Sequence, residues 1–521
     1  HGWILLLLAV WAFGPLAQTV LHVLRHGGVM TGAIGGDTYD QLAYLAWIRD
    51  EGSHLLASNL WSIAPTPHDY LHPMFFVSGL LWRLGASVQV AYLLWKPVAL
   101  LVLFIGFAAY VRRALPDRRG AQAAALLVAL FYETPLVAVA HWTSFLSSPH
   151  QIQLLLAADD PNSALNLWGF DHTAIAIGLM PVFLIACERL LRAPSRRWTA
   201  LAALAGALVA WLRPWQGLTL LVIVGLLFVA RPPRRRFLAL AVPLAATVLP
   251  LAYGVVLARA DPSWASFQHK SIVEVGTAPW WALLASFGPL AALAALAVPR
   301  PRADGDWMLL AWPVACGAVY FLIPEFPPHA LSGVTLPLAV LAARGWQRLK
   351  LPLRFGVVLA IAAVAAITVP AAIFHAKTAR DEFTDPTHAP FLKLQVLGPD
   401  DAAALRFIAR SPVKGGVFAP QFLAMAVPGL TGHPTYVGHV MWQPLARTVQ
   451  AGRFYSPALR DPGGTIRRAI LRSSRARFVV TECGAPPALA SAIAGLVEAV
   501  TRFGCVSVYE TRPGVAGSPA R

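Results

Sequence analysis

Charged side chains are scarce in this sequence. Asp, Glu, Lys and Arg make up 13% of the 521 residues, whereas a soluble domain carries about 25%. Apolar windows of about 18 residues or more, nearly free of charge, recur from residue 3 to about residue 373. This pattern excludes an ordinary cytosolic enzyme and predicts a polytopic membrane protein.

Cysteine and the motifs of soluble enzymes are also scarce. Cys187 and Cys316 fall inside apolar segments, so Cys483 and Cys505 are the pair that can form a disulfide. The sequence has no P-loop, no G-x-G-x-x-G after a strand, no H-E-x-x-H and no G-x-S-x-G. Without a nucleotide cradle, an enzyme of this shape would take an activated group that is already attached to a lipid.

The apolar segments predict about eleven membrane passes. They lie at 3–22, 87–111, 121–141, 172–191, 199–212, 215–230, 237–258, 280–298, 307–323, 330–346 and 355–373. The remainder, 374–521, has the mixed composition of a soluble domain. We therefore expect a mainly α fold, with a transmembrane helical bundle over 1–373 and a C-terminal α/β domain over 374–521.

Basic residues predict the orientation of this bundle. Eighteen Lys and Arg residues lie in one set of short connections, and five lie in the alternate loops 23–86, 142–171, 259–279 and 324–329. By the positive-inside rule, the alternate loops and the C-terminal domain are predicted to be extracytoplasmic. The net charge of +17 is thus a topology signal, and we expect no nucleic-acid partner.

The tail alternates between helix and strand patterns. Residues 399–410 and 488–502 have helical spacing, and Asp400 and Asp401 stand where a helix would begin. Residues 416–418, 477–482 and 505–510 are short apolar runs typical of strands.

The first outer loop carries two acids in a helical pattern. Residues 37–49 have the apolar spacing of an amphipathic helix at the membrane interface. Asp37 and Asp40 are three residues apart at its start, so their carboxylates share one face, and the helix macrodipole favours their ionised form. Either is a candidate general base. The alternative is a capping Asp37 and a solvated Asp40.

Further polar residues mark the other outer loops. His72 precedes the proline that opens a short apolar run, and Asp171 and His172 stand where a helix enters the membrane. Asp171 is either the helix cap or a ligand together with His172. Residues 159–162, Asp-Asp-Pro-Asn, suit either a divalent cation or an ordinary turn. His439 in the tail either contacts substrate or belongs to a packed turn.

Arg213 interrupts an apolar hairpin. A charge in such a segment costs about 2.5–3.5 kcal/mol on insertion scales, so it is usually functional or paired. A guanidinium can bind a phosphate bidentately, whereas the alternative is an anchor at the interface. Lys96, about ten residues into its segment, follows a similar logic. His269, Lys270, Glu325 and His329 are predicted on the same side of the membrane.

These features resemble the glycosyltransferase C superfamily, in which an acid stands near the end of the first transmembrane helix and interfacial helices follow. Here 36–40, Gly-Asp-Thr-Tyr-Asp, occupies that place. The chain also resembles a set of bacterial multi-pass proteins, through Asp-x-x-x-Tyr-Leu at 40–45 and the tail segment 432–439. Since the second loop has no Asp-x-Asp, the resemblance implies no cofactor, and a divalent metal is not favoured.

The resemblance implies an inverting glycosyltransferase in a bacterial cytoplasmic membrane. It would move a hexosyl or pentosyl group from a polyprenyl phosphate to a lipid, glycan or protein acceptor outside the cytoplasm. Asp37 or Asp40 would be the base. Arg213, with Lys96 or His172, would bind the donor phosphate. Expected substrate contacts are Tyr39, His72, Asp171, His269, Lys270 and His439. The rival interpretation is a transporter or flippase of lipid-linked intermediates, and a weaker one is a scaffold whose tail binds cell-wall polymer.

Overall fold

The computed structural model describes residues 1–134, 159–231, 234–297, 303–349 and 389–515, with isolated positions between 369 and 383. The end of the predicted segment 121–141, most of loop 142–171 and nearly all of the segment 355–373 lie outside the described residues. The predicted domain boundary at residue 373 falls in that region and stays a prediction.

Helices dominate the first part of the chain. In chain order they are α1 Gly2–His26, α2 Thr38–His54, α3 Pro73–Arg83, α4 Val88–Leu93, α5 Trp95–Ala114, α6 Arg119–Phe131, α7 Asp171–Arg192, α8 Arg196–Leu212, α9 Pro214–Ala230, α10 Ala241–Ala260, α11 Pro262–Glu274, α12 Trp280–Ala295, α13 Asp304–Leu322 and α14 Thr335–Arg348. Ten of the eleven predicted apolar segments overlap helices of this series, and the eleventh, 355–373, lies where the structure describes only isolated residues.

The tail adds short helices and strands. The helices are α15 Ala389–Gln395, α16 Pro399–Arg410, α17 Gln421–Thr431, α18 Leu445–Tyr455, α19 Thr465–Ser474 and α20 Pro487–Ile493. The strands are β1 Val29–Met30, β2 Val396–Leu397, β3 Val417–Phe418, β4 Phe478–Thr481, β5 Val497–Phe503 and β6 Val506–Thr511.

The chain divides into two units. The helical unit contains His1–Gly14, Trp95–Ala260 and Gln268–Thr378. The mixed unit contains Pro15–Leu94, Asp261–Phe267 and Ala379–Arg521. The whole of loop 23–86 and nearly all of the tail 374–521 therefore belong to one unit.

The helical unit has the character of a membrane protein. Among the described residues of the whole chain, five helices are long and apolar enough to cross a bilayer: Gly2–His26, Val88–Ala114, Asp171–Arg192, Arg236–Ala260 and Asp304–Leu322. Inside the helical unit, α5 and α7 approach through glycines, because a Cβ on Gly106 would lie 1.9 Å from the carbonyl oxygen of Gly178. Small residues at such crossings are typical of membrane helices. The predicted polytopic helical bundle is confirmed.

Ion pairs link the ends of several helices in the helical unit. They link Glu188 to Arg113 and Arg192, Asp304 to Arg231 and Arg236, and Asp306 to Arg344. Arg344 also donates to the carbonyl of Ala114 at 2.8 Å. Among the described residues, basic side chains from four of the connections that the sequence assigns to one side of the membrane therefore form ion pairs at one end of the helical unit.

Two small sheets organise the mixed unit. β1 pairs antiparallel with β2, which joins the first outer loop to the tail. The second sheet has the order β3-β4-β6-β5, with β3 parallel to β4 and the other pairs antiparallel. The predicted helix 399–410 and the three predicted strands are present, and Cys483 and Cys505 form the predicted disulfide.

The predicted helix 488–502 is wrong in its second half. The helix α20 ends at Ile493, and Val497–Phe503 is strand β5. The strand pairs with β6 through a hairpin at Gly504, whose φ of +57° suits glycine. Pairing with β6 provides backbone partners that local apolar spacing cannot reveal.

The prediction that α2 is a one-sided amphipathic helix is also wrong, while its place at a membrane interface stays a prediction. Twelve of its 17 residues are buried, so it is a core helix of the mixed unit rather than a one-sided amphipathic one. It contacts α3 closely, because a Cβ on Gly52 would lie 2.7 Å from the carbonyl oxygen of Gly79. On another side a Cβ on Gly429, in α17, would lie 3.0 Å from the Cβ of Leu45. These neighbours cover faces that the sequence pattern left to lipid and water.

Candidate active site

Asp37 stands at the start of α2 in an unusual backbone conformation. Its φ of 47° and ψ of 46° are left-handed, and its side chain does not cap the helix. Asp tolerates this conformation better than most residues, although such backbone strain costs about 1–3 kcal/mol and often marks functional sites. Asp37 is also exposed. The structure therefore does not show the capping role that was the alternative for this residue.

Gln41 fixes the loop before Asp37. Its amide accepts from the Ile34 backbone N–H at 3.0 Å and donates to the carbonyls of Ile34 at 2.8 Å and Gly36 at 2.5 Å. The side chain is fully buried. Sequence reasoning missed this residue, and the available signal was a polar amide one turn after Asp37 in an apolar stretch. Gln41 holds the backbone that presents Asp37.

Asp40 is paired with His439. The His439 Nε2 lies 2.8 Å from Asp40 Oδ1, while its Nδ1 accepts from the Met441 backbone N–H at 3.3 Å. Because Nδ1 is an acceptor, Nε2 carries the proton and donates to the carboxylate. His439 is buried, whereas the Asp40 side chain is 44% exposed. Two residues that the sequence singled out separately are thus brought together.

The tail segment 432–439 explains how His439 reaches Asp40. Gly432 ends α17 with a φ of 77°. Thr435 donates its N–H to the Leu60 carbonyl at 2.9 Å, and a Cβ on Gly438 would lie 2.3 Å from the Trp61 ring. Both glycines are therefore required by the backbone, one for the left-handed turn and one for close contact. The segment that carried part of the family resemblance is a positioning device for His439.

Two more predicted residues of the mixed unit have apolar surroundings. The ring of Tyr39 lies 6.3 Å from that of Phe422, and burial raises the pKa of the Tyr39 hydroxyl. His72 is buried and stacks on Phe75 at 4.0 Å. Burial lowers the pKa of His72 to about 3, so this imidazole is uncharged at neutral pH.

Trp442, near His439, belongs to an aromatic cluster. Its ring stacks on Phe267 at 4.4 Å and meets Trp264 edge-on at 4.6 Å. Trp47 is a further neighbour at 5.3 Å. Trp442 is buried, so it supports the turn that carries His439.

In the helical unit, Arg213 is the one residue between α8 and α9. Its φ of −151° is extended, and its side chain is buried. The guanidinium lies 5.2 Å from the centroid of the Trp215 ring, a cation–π contact. Its Nη2 is 3.9 Å from Asp160 Oδ1. The predicted break in the hairpin is confirmed, and α9 begins at Pro214, one residue before the predicted segment 215–230.

The surroundings of Arg213 gather other predicted residues. His329 Nδ1 lies 3.0 Å from Asp160 Oδ2, so Asp160 is placed between an imidazole and a guanidinium. Gln216 donates to the His329 carbonyl at 2.7 Å, and the Trp215 indole donates to the Glu325 carbonyl at 2.7 Å. These bonds fasten the 325–332 segment to the first turn of α9.

Lys96 and Asp171 form a second buried group. Lys96 Nζ lies 3.7 Å from Asp171 Oδ1 and donates to the Leu167 carbonyl. Asp171 is the first residue of α7, and the cap position belongs to Phe170. The carboxylate of Asp171 therefore balances Lys96 rather than capping the helix. His172 is buried, with its ring 6.0 Å from that of Phe170.

His269 and Lys270 lie on α11. His269 is exposed, and Lys270 is half-buried. Burial lowers the pKa of Lys270, and the nearby Glu274 opposes that shift.

Comparison with known proteins gives fold relatives. No protein-family model matches the chain, and no curated protein sequence matches it. The chain is similar to the structure of ArnT from Cupriavidus metallidurans bound to undecaprenyl phosphate, at 15% identity and a TM-score of 0.52, over 99% of each chain. It is also similar to the oligosaccharyltransferase AglB from Archaeoglobus fulgidus in complex with an inhibitory peptide and a dolichol-phosphate. That likeness has 12% identity and a TM-score of 0.50, and covers 90% of this chain and 69% of AglB.

This chain has the glycosyltransferase C fold. The resemblance read from the sequence is therefore confirmed for the fold, and the roles of individual residues stay predictions. Within this glycosyltransferase C fold, the mixed unit joins Asp40 to His439. The helical unit joins Arg213, Asp160 and His329, and separately Lys96 and Asp171.

Proposed function

We propose that this chain is a membrane glycosyltransferase that moves a sugar from a polyprenyl phosphate to an acceptor hydroxyl with inversion at the anomeric carbon. The exposed carboxylate of Asp37, held on a left-handed backbone three residues before the Asp40–His439 pair, carries this proposal. The glycosyltransferase C fold supports it, because the similar ArnT structure holds undecaprenyl phosphate.

We assign the general base to Asp37. Its carboxylate would take the proton of the acceptor hydroxyl across about 2.6–3.2 Å. The acceptor oxygen would then form the new bond to the anomeric carbon while the bond from that carbon to the phosphate oxygen breaks, and the polyprenyl phosphate would leave. Asp40 already accepts a hydrogen bond from His439, which suits an orienting acid better than a base.

Arg213 is the proposed ligand of the donor phosphate. It is a buried cation beside Asp160, 3.9 Å away, and a phosphate suits the planar fork of a guanidinium. Bidentate binding would also stabilise the charge that develops on the leaving phosphate. Lys96, already balanced by Asp171, and His172 are secondary candidates.

An apolar groove suits the polyprenyl chain. It has a volume of about 480 Å³ and lies between α9 on one side and α10 with the segment that leads into it on the other. Val224, Phe228 and Leu244 are among the lining residues. Because α9 starts immediately after Arg213, a lipid whose phosphate is bound by Arg213 could follow this helix. Tyr39, His72, Asp171, His269 and Lys270 remain the proposed substrate contacts, whereas His439, whose two ring nitrogens bond to Asp40 and to the Met441 N–H, is proposed to position Asp40 instead.

The test uses the purified full chain in lipid nanodiscs with a panel of polyprenyl-phosphate hexoses and pentoses. We expect release of free polyprenyl phosphate for at least one donor, together with a glycosylated acceptor. The same panel in sealed vesicles separates the rival function. Passage of intact donor across the bilayer, with no cleavage of any donor, would indicate a transporter and contradict the transferase.

A further inference from the structure

We propose that Asp50, His54 and His68 form a binding site for a divalent transition metal, with Zn²⁺ as the best match. One ligand atom from each residue lies within 4.8 Å of the others. His54 Nδ1 is 2.8 Å and His68 Nε2 is 3.4 Å from Asp50 Oδ1. The two imidazole rings have centroids 4.2 Å apart. This site is separate from the proposed transferase chemistry.

The backbone conformation after α2 brings the three residues of this cluster together. Leu55 follows α2 in a left-handed conformation, with a φ of 71°, which is rare for a bulky side chain. The chain then folds back, and Ala57 and Tyr70 form an antiparallel bridge. The Ala57 N–H donates to the Tyr70 carbonyl at 2.7 Å. His68, 14 residues after His54 along the chain, is thereby returned to the last turn of α2.

Hydrogen bonds to its second oxygen hold the Asp50 carboxylate in place, as is common for carboxylates that bind metals. Its Oδ2 accepts from the Ser58 backbone N–H at 2.7 Å and from the Ser58 hydroxyl at 2.8 Å. These bonds leave Oδ1 as the oxygen that faces both imidazoles. Hydrogen bonds of this kind orient the side chains that bind a metal and raise its affinity. Asp50 is buried, while His54 and His68 are 53% and 39% exposed, so an ion can enter from solvent.

The three ligand atoms indicate which class of metal the site would bind. Two imidazole nitrogens and one carboxylate oxygen are a common ligand set for Zn²⁺, whereas Ca²⁺ and Mg²⁺ prefer oxygen ligands alone. A water would complete a four-coordinate site. Asp50 is ten residues beyond Asp40 on one helix, a distance of about 15 Å along the axis. The ion would therefore fasten the 56–70 loop to α2 without touching the reacting atoms.

The test is metal binding by the full chain in detergent after treatment with a chelator. ZnCl₂ is added, unbound metal is removed, and the retained metal is measured by mass spectrometry. We expect one Zn²⁺ per chain. Since losing an outer hydrogen-bond partner costs about 10–100-fold in affinity, Ser58→Ala should bind about 10-fold more weakly, and His68→Gln more weakly still. Co²⁺ should give a visible absorption band that His68→Gln loses.

Matched controls keep the result interpretable. Ser53→Ala changes an exposed residue of α2, and His26→Gln removes an imidazole outside the cluster; both should retain one Zn²⁺. His68 is partly exposed, so its variant should fold, which a thermal melt of the apo protein checks. Failure of the folded wild-type chain to retain Zn²⁺, or retention in His68→Gln equal to that in the wild type, would overturn the proposal.

Discussion

His439 donates a hydrogen bond from Nε2 to Asp40 Oδ1 at 2.8 Å and so joins residues that lie 399 positions apart in the chain. The bond links the start of α2 to the turn after segment 432–439. Because the imidazole is buried and the carboxylate is partly exposed, His439 fixes the orientation of Asp40 from the protein side. In the proposed mechanism, His439 is therefore a positioning residue beside Asp37.

Removing His439 should slow turnover. In His439→Ala the Asp40 carboxylate loses a hydrogen bond of a kind that contributes about 1.5–3 kcal/mol, so we expect kcat to fall about 10-fold or more while the donor KM changes little. His439→Gln keeps an N–H donor and should recover much of the rate. Steady-state kinetics with a lipid-linked donor measures both parameters. An alanine variant with the wild-type kcat would show that the pair is structural only.

Arg213 should control use of the donor. Arg213→Lys keeps the charge but loses bidentate geometry, and Arg213→Ala loses both, so we expect kcat/KM to fall about 100-fold in the alanine variant and less in the lysine variant. Arg189→Lys, at an exposed position on α7, is the control and should match the wild type. Equal kcat/KM for Arg213→Ala and the control would remove Arg213 from the phosphate site.

Glu51 should make stability depend on pH. Burial, opposed by the His72 N–H bond, raises the pKa of Glu51 from 4.5 to about 9. Between these values the folded chain keeps a proton that the unfolded chain releases, so stability should fall as pH rises through this window.

Glu51→Gln should flatten this dependence, because the amide does not titrate. The pH dependence of stability is measured by thermal unfolding of both proteins in detergent at about pH 5 and about pH 8.5. The wild type should lose stability relative to the variant at the higher pH. Parallel pH dependence in the two proteins would show that Glu51 ionises normally.

The four cysteines predict how many thiols can be labelled. Cys483 and Cys505 form a disulfide, and Cys187 and Cys316 are free. The denatured chain should therefore label two thiols without reductant and four after reduction. The bridge spans 22 residues and should contribute about 3 kcal/mol to stability. Four labelled thiols in the unreduced chain would contradict the bridge.

Local signals in the sequence were sufficient for several features. Pro399 and the acids after it predicted α16 with its observed limits, Pro399–Arg410. The Arg-Pro break predicted the end of α8 and the start of α9 around Arg213. In each case the information lies within one turn of the chain, where proline geometry and helix-start preferences decide the conformation.

Features that depend on distant partners could not be predicted. The strand β5 was mistaken for helix because its partner β6, not its own spacing, determines its form. The burial of α2 depends on α3 and α17. The pairing of Lys96 with Asp171, 75 residues later, likewise follows from the packing of α5 against α7. Sequence spacing places residues on one helix face and cannot show what covers that face.

The most direct test of the transferase mechanism compares Asp37→Asn with Asp40→Asn in single-turnover assays with a saturating polyprenyl-phosphate sugar. Asn keeps the shape of Asp and tolerates the left-handed backbone of Asp37, so the comparison isolates the charge. We predict that Asp37→Asn slows transfer by about 100- to 10,000-fold, while Asp40→Asn retains measurable transfer. Wild-type transfer by Asp37→Asn would contradict the proposed base.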